Sequence, residues 1–191
     1  MSSTIKIIIG VVIGSFTVCL LAGAAGVWMI RSAGTAIGKG LQSDQERVLE
    51  VSADIAEYDL PGDFENAYAM QAGGFDLVSY TGQDRHSHVY FFQLPGGVRL
   101  EESLLERQFN QFSRDQANDN RHTTPVSQMA ATIRGQETTL VVSEGVNSEG
   151  QAFRQATAIF EGKGGQALVV FERPVSSWDV AEMETFVASI R

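Results

Sequence analysis

Between Lys6 and Arg31 the chain runs for twenty-four residues, IIIGVVIGSFTVCLLAGAAGVWMI, without a charge. Wound as a helix rising 1.5 Å per residue, such a run is about 36 Å long, enough to cross a hydrocarbon core with some tilt. The alternative is a cleavable signal peptide, with Lys6 as a thin basic region and Ala22-Gly23-Ala24 as a small-residue cleavage pattern. Against cleavage, Val27-Trp28-Met29-Ile30 carries the apolar run past that site, and Trp28 beside Arg31 suits a membrane interface. Residues 7–30 are therefore expected to form a retained, single-pass transmembrane helix behind a short tail, residues 1–6. Charge alone does not orient it, because Lys6 and the α-amine precede it while Arg31 and Lys39 follow. A short tail with a large domain behind it is the layout of a signal-anchor, so the domain is expected on the extracytoplasmic side, periplasmic or extracellular. Gly10 and Gly14 form a GxxxG pair, and Ala22 with Gly26 repeats the small-residue spacing that lets helix backbones approach closely in lipid. The partners this implies are the lipid bilayer and, through that helix face, another membrane protein or a second copy of the chain.

Residues 31–40, small and glycine-rich, read as a flexible linker, which leaves residues 41–191 as a single domain of ordinary size. Lys6 and Arg31 are two of the fourteen basic residues, and all twenty-three acidic ones follow the anchor, so the net charge of −9 becomes −11 from Ser32 onward. A field of that sign repels phosphate backbones and anionic headgroups, so nucleic acid is not an expected partner. The one cysteine, Cys19, lies inside the apolar run, leaving the domain without a disulfide, thiolate ligand or thiol nucleophile. Cys19 also lacks the small preceding residue that lipoprotein acylation requires.

Within the domain, Ser43 with Glu46 makes a capping box, and Val48, Val51 and Ile55 fall at helical spacing before Pro61-Gly62 turns the chain. Three strands in a meander are expected at 64–70, 75–80 and 88–94, separated by Gly73-Gly74 and a polar stretch. A second helix is expected at 100–115, where Ser103 and Glu106 cap it and Leu105, Phe109 and Phe112 face a sheet. Four further strands, at 126–134, 138–144, 153–161 and 166–172, are joined by glycine-containing turns and predict antiparallel hairpins. Asp179 ends the cap of a closing helix whose Met183, Phe186, Val187 and Ile190 share one face. The fold class is α+β, an antiparallel sheet of six to seven strands packed with helices.

That element order, together with the closing segment Trp178, Asp179, Phe186, Ser189 and Ile190, resembles the α/β/α sandwich of PsbP-like and Mog-like domains over about residues 55–191. The resemblance implies a non-enzymatic accessory, assembly or binding module, often extracytoplasmic. It carries over no site residue, since no binding motif matches position by position.

The chemistry legible in the sequence is sparse. His86 and His88, two apart in an expected strand, would share a face and are the candidate metal ligands, with Asp84 or His122 completing the set. Gly162-Lys163-Gly164-Gly165 is flanked by strands on both sides, so it reads as a hairpin turn rather than a phosphate cradle. Neither Ser143 nor Ser148 sits in a nucleophile elbow, and Glu101-Glu102 at a helix entrance complement the helix dipole rather than pair for glycoside hydrolysis. The expectation is a membrane-tethered, non-catalytic binding or assembly module without a cofactor. The alternative is a ligand- or metal-binding domain using Asp84, His86 and His88.

Overall fold

The computed structural model describes residues 45–99, 123–147 and 149–191. Helix α1 (Gln45–Ile55) buries Val48, Val51 and Ile55, the stripe its spacing predicts. Seven strands follow: β1 (Phe64–Ala72), β2 (Phe75–Gly82), β3 (His88–Gln93), β4 (Thr124–Ile133), β5 (Gln136–Val146), β6 (Ala152–Glu161) and β7 (Gln166–Pro174). A 3₁₀ turn at Val175–Ser177 leads into helix α2 (Val180–Ser189). Asp179 caps α2, its carboxylate accepting from the amides of Ala181 at 2.8 Å and Glu182 at 3.3 Å.

All the described strands join one antiparallel sheet in the order β1-β2-β3-β7-β6-β5-β4. Both expected meanders are present, and the sequence-distant pair β3–β7 welds them together at the centre. Two-residue loops close the outermost hairpins. Gly73-Gly74 has φ of 61° and 84°, and Arg134-Gly135 has 52° and 74°, the left-handed values of a type I′ turn. Arg134 accepts that conformation, unusual for a side chain, because its amide donates to Ile190 O at 3.1 Å and its guanidinium to Glu161 O at 2.8 Å.

Both described helices pack on one face of the sheet, over Val78, Phe91, Leu140, Val142, Val169 and Phe171. Phe91 stacks on Tyr58 at 4.1 Å, and Phe171 meets Phe186 of α2 at 5.5 Å. The opposite face buries Leu94, Leu168 and Val170, with Tyr90 and Phe92 partly covered. Alternate residues of Tyr90-Phe91-Phe92 thus serve opposite faces, as a sheet covered on both sides requires. The helix expected at 100–115, with Glu101, Glu102, Ser103 and Glu106, lies outside the described residues. So do the expected anchor at 7–30 with Gly10, Gly14 and Cys19, the expected linker, Ser43, His122 and Ser148. Among the described residues no helix is long and apolar enough to cross a membrane.

Candidate functional site

The β2–β3 turn is built around one carboxylate. Asp84 Oδ1 accepts from the amides of His86 at 2.9 Å and Ser87 at 2.8 Å, while Oδ2 accepts from the Ser87 hydroxyl at 2.7 Å. Burial pushes this carboxyl up, but the Ser87 hydroxyl, the two amides and the nearby Arg173 outweigh it and hold it below its ordinary value. Asp84 is therefore turned into its own loop.

Behind that turn Arg173 of β7 is 5% exposed and tied on three sides. It forks onto Asp63 at 2.8 and 2.9 Å, donates from Nη2 to Glu182 of α2 at 2.8 Å, and reaches Ser87 Oγ at 3.3 Å. Its Nε also faces Glu182 Oε2 at 2.8 Å, aligned as an ion pair rather than as a hydrogen bond. The guanidinium lies over the rings of Phe64 at 4.9 Å and Phe171 at 5.4 Å. The bidentate bonds from Arg173 hold the Asp63 carboxyl below the usual range.

The β2–β3 and β5–β6 turns meet across a pocket of about 330 Å³. His86, His88, Glu149 and Glu172 line it, with Asp84 and Gln151 beside them. His86 Nδ1 stands 4.0 Å from Glu149 Oε2. The His88 ring lies against Tyr90 at 5.7 Å, its Nδ1 is 3.5 Å from Thr81 Oγ1, and its strand partner is the buried Glu172. The structure brings His86 and His88 to one pocket, though not by the route expected: β3 starts at His88, so His86 belongs to the turn and strand alternation does not relate the two. Among the described residues no group of three or more His, Cys, Asp or Glu side chains is arranged to hold a metal ion.

A larger groove, about 600 Å³, runs between α1 and the β1 side of the sheet. Val48, Leu49, Ala53, Leu60, Phe64 and Ala67 give it an apolar lining, with Glu57, Glu65 and Arg191 among its polar residues. Leu49, 61% exposed, sits on its lip. Tyr58 and Tyr80 also line it and join hydroxyls at 2.9 Å, and burial followed by the adjacent Tyr80 pushes the Tyr58 phenol far above its ordinary value. Sequence reasoning missed this groove; its one signal was Leu49, a large apolar residue off the buried stripe of α1.

The glycine turn at 162–165 binds a side chain of the protein itself. Gln93, fully buried, accepts from Gly164 N at 2.9 Å and donates to Asp76 Oδ2 at 2.8 Å and to Asp54 O at 3.2 Å. A Cβ on Gly164 would stand 2.5 Å from Gln93 Nε2, so the turn needs glycine there to close over the amide. Lys163 N donates to Ile55 O at 2.9 Å, which caps the end of α1. It is a hairpin turn, as its flanking strands predict.

No family model matches this sequence, and none of the curated proteins compared with it does. Solved structures do resemble it. Cyanobacterial PsbP from Synechocystis sp. PCC 6803, determined in solution, superposes with a TM-score of 0.52 over 73% of this chain and 88% of that one, at 13% identity. The fold is PsbP-like. The α+β class and the PsbP part of the resemblance are borne out at the level of fold. At that identity the likeness fixes the path of the chain, while the side chains of the pocket and of the groove are this protein's own.

Proposed function

We propose that this protein is a membrane-tethered, non-catalytic binding or assembly module whose PsbP-like domain works on the extracytoplasmic side. The observation that carries the reading is the groove beside α1, lined by apolar and polar groups together and edged by Leu49 at 61% exposure. Apolar surface held open to solvent costs free energy and is commonly kept where a partner covers it. The groove also lies along the helix into which the chain runs from the expected anchor, so a partner in the same membrane would meet it at short range. The PsbP-like fold supports the reading as an accessory-type scaffold, and the uncharged run at 7–30 supports tethering.

The test is co-purification of the full-length protein from its native membranes. A partner retained by the unaltered chain and reduced about tenfold by Leu49→Glu, as expected for one buried apolar contact replaced by an unpaired charge, is the predicted result. Recovery of the protein alone from both preparations would count against the assembly role. For orientation, a single cysteine within residues 116–124, in a Cys19→Ser background, should react with an impermeant maleimide on intact cells.

A second reading rests on one observation, that His86, His88 and Glu149 line the 330 Å³ pocket, where an added cation would have to draw them into a ligand set they do not form in this structure. Zinc added to the purified protein would then raise its melting temperature, and His86→Ala would abolish the rise.

A further inference from the structure

Strand β4 ends the sheet at one edge, and its residues, TPVSQMAATI, carry no charge. Proteins ordinarily blunt an edge of this length with lysines, prolines or bulges. Here Pro125 and a bulge between Pro125 and Ser127 guard only the beginning, and the stretch from Ser127 to Ile133 pairs regularly with β5. The Arg134-Gly135 loop fixes which groups stay open. A two-residue type I′ loop closes on a hydrogen-bonded pair, here Ile133 with Gln136, so Ala131, Met129 and Ser127 also bond inward to β5. Gln128, Ala130 and Thr132 therefore turn their N–H and C=O groups outward. The same alternation, carried across all seven strands, arrives at Ala72 with Phe75, the pair that closes the other two-residue hairpin, as it must. Among the described residues nothing bonds to the outward groups of β4.

We propose that β4 pairs with β4 of a second copy of this chain, antiparallel and centred on Ala130, to join two seven-stranded sheets into one. In that register Ala130 faces its own counterpart, with N–H and C=O exchanged reciprocally. Gln128 faces Thr132 of the other copy on either side, which completes six interchain hydrogen bonds. On the helix-covered face Met129 opposes Ala131, large against small, and on the other face Gln128 opposes Thr132, polar against polar. The strand is thus complementary to itself. It offers no charge by which to choose an acidic or a basic partner, and its neutrality spares two copies, each at −11 from Ser32 onward, a direct clash at the seam.

The test uses the full-length chain in detergent with Cys19→Ser. Ala130→Cys should form an interchain disulfide under mild oxidation far faster than Leu49→Cys, which is also exposed but remote from the seam. Ala130→Lys and Ala130→Glu, each alone, should weaken the dimer by about fivefold through like charges placed directly opposite, and mixing the two variants should restore it. Ala130→Pro, which removes an outward N–H and no β4–β5 bond, should weaken it by about tenfold with the fold retained. Equal cross-linking at positions 49 and 130 would place the contact elsewhere, in the anchor for instance. Loss of the dimer in both charge variants without rescue on mixing would mean that β4 does not meet itself. Either result overturns the proposal.

Discussion

The two edges of the sheet are built differently. At the β1 edge side chains bond to the strand and to the turn before it. Arg173 clamps Asp63 just before the strand, Gln83 bonds Glu65, Arg47 reaches Gln71, and α1 packs across the strand. By strand alternation Ala69 points its backbone outward there, and it is engaged. At the β4 edge there is no charge, α2 packs against the strand's inner face, and Gln128, Ala130 and Thr132, all exposed, turn their backbone groups outward. One edge is closed by side-chain chemistry, and the other is left as unspent backbone. On the proposed dimer, self-association belongs to the β4 edge, while the clamped β1 side carries stability together with the groove beside α1, so substitutions should separate self-pairing from stability.

The largest effect expected is at Arg173. Arg173→Met keeps much of the volume but strips Asp63 and Glu182 of their shared cation and Phe64 and Phe171 of the guanidinium over their rings. Urea unfolding should show a loss of about 3 kcal/mol, with dimer formation unaltered in whatever fraction remains folded. A comparable loss from Ala131→Pro, about 3 kcal/mol, against less than about 1 kcal/mol from Ala130→Pro, would separate the inward from the outward groups of β4. Equal costs at the two positions would break the register on which the comparison rests.

Next in size, Gly164→Ala should cost about 2 kcal/mol, because its methyl group would push Gln93 off a fully buried amide network. The Asp63 carboxyl, held down by Arg173, gives a pH signature. Its folded pKa lies below its unfolded value, so its contribution is complete above about pH 4 and is lost as pH falls through the folded pKa. Chemical denaturation between about pH 5 and pH 2 should therefore show a smaller slope for Asp63→Asn than for the unaltered protein. Asp63 is 42% exposed, so the difference will be modest. Smallest of all, Gln128→Lys and Thr132→Lys should shift the unfolding midpoint by an amount worth less than about 0.5 kcal/mol, while placing charge at the exposed edge.

Much of the fold was legible because its signals are local. Period-2 alternation with glycine turns located all seven strands, although β4 begins two residues before its expected start and β5 extends two residues at each end, where exposed Thr124, Pro125, Gln136 and Glu137 give no apolar alternation to read. The stripe of α1 and the Asp179 cap of α2 were equally plain. The site was less so. Asp84, His86 and His88 are close in sequence, but Glu149 joins them from a turn some sixty residues on, and no spacing announces it.

What the sequence determined by itself is whatever a few neighbouring residues decide: the uncharged run of 7–30, the elements, and the two meanders with their handed turns. Only the tertiary structure decided that β7 lies on β3. That pairing brings Arg173 to Asp63 across the sheet, sets the β2–β3 turn beside the β5–β6 turn, and sends β4 to an edge. The reason is physical. A turn or a helical stripe is chosen against alternatives within reach of a few peptide units, whereas a long-range strand pair is chosen by the burial of a whole shared core, which no short segment contains.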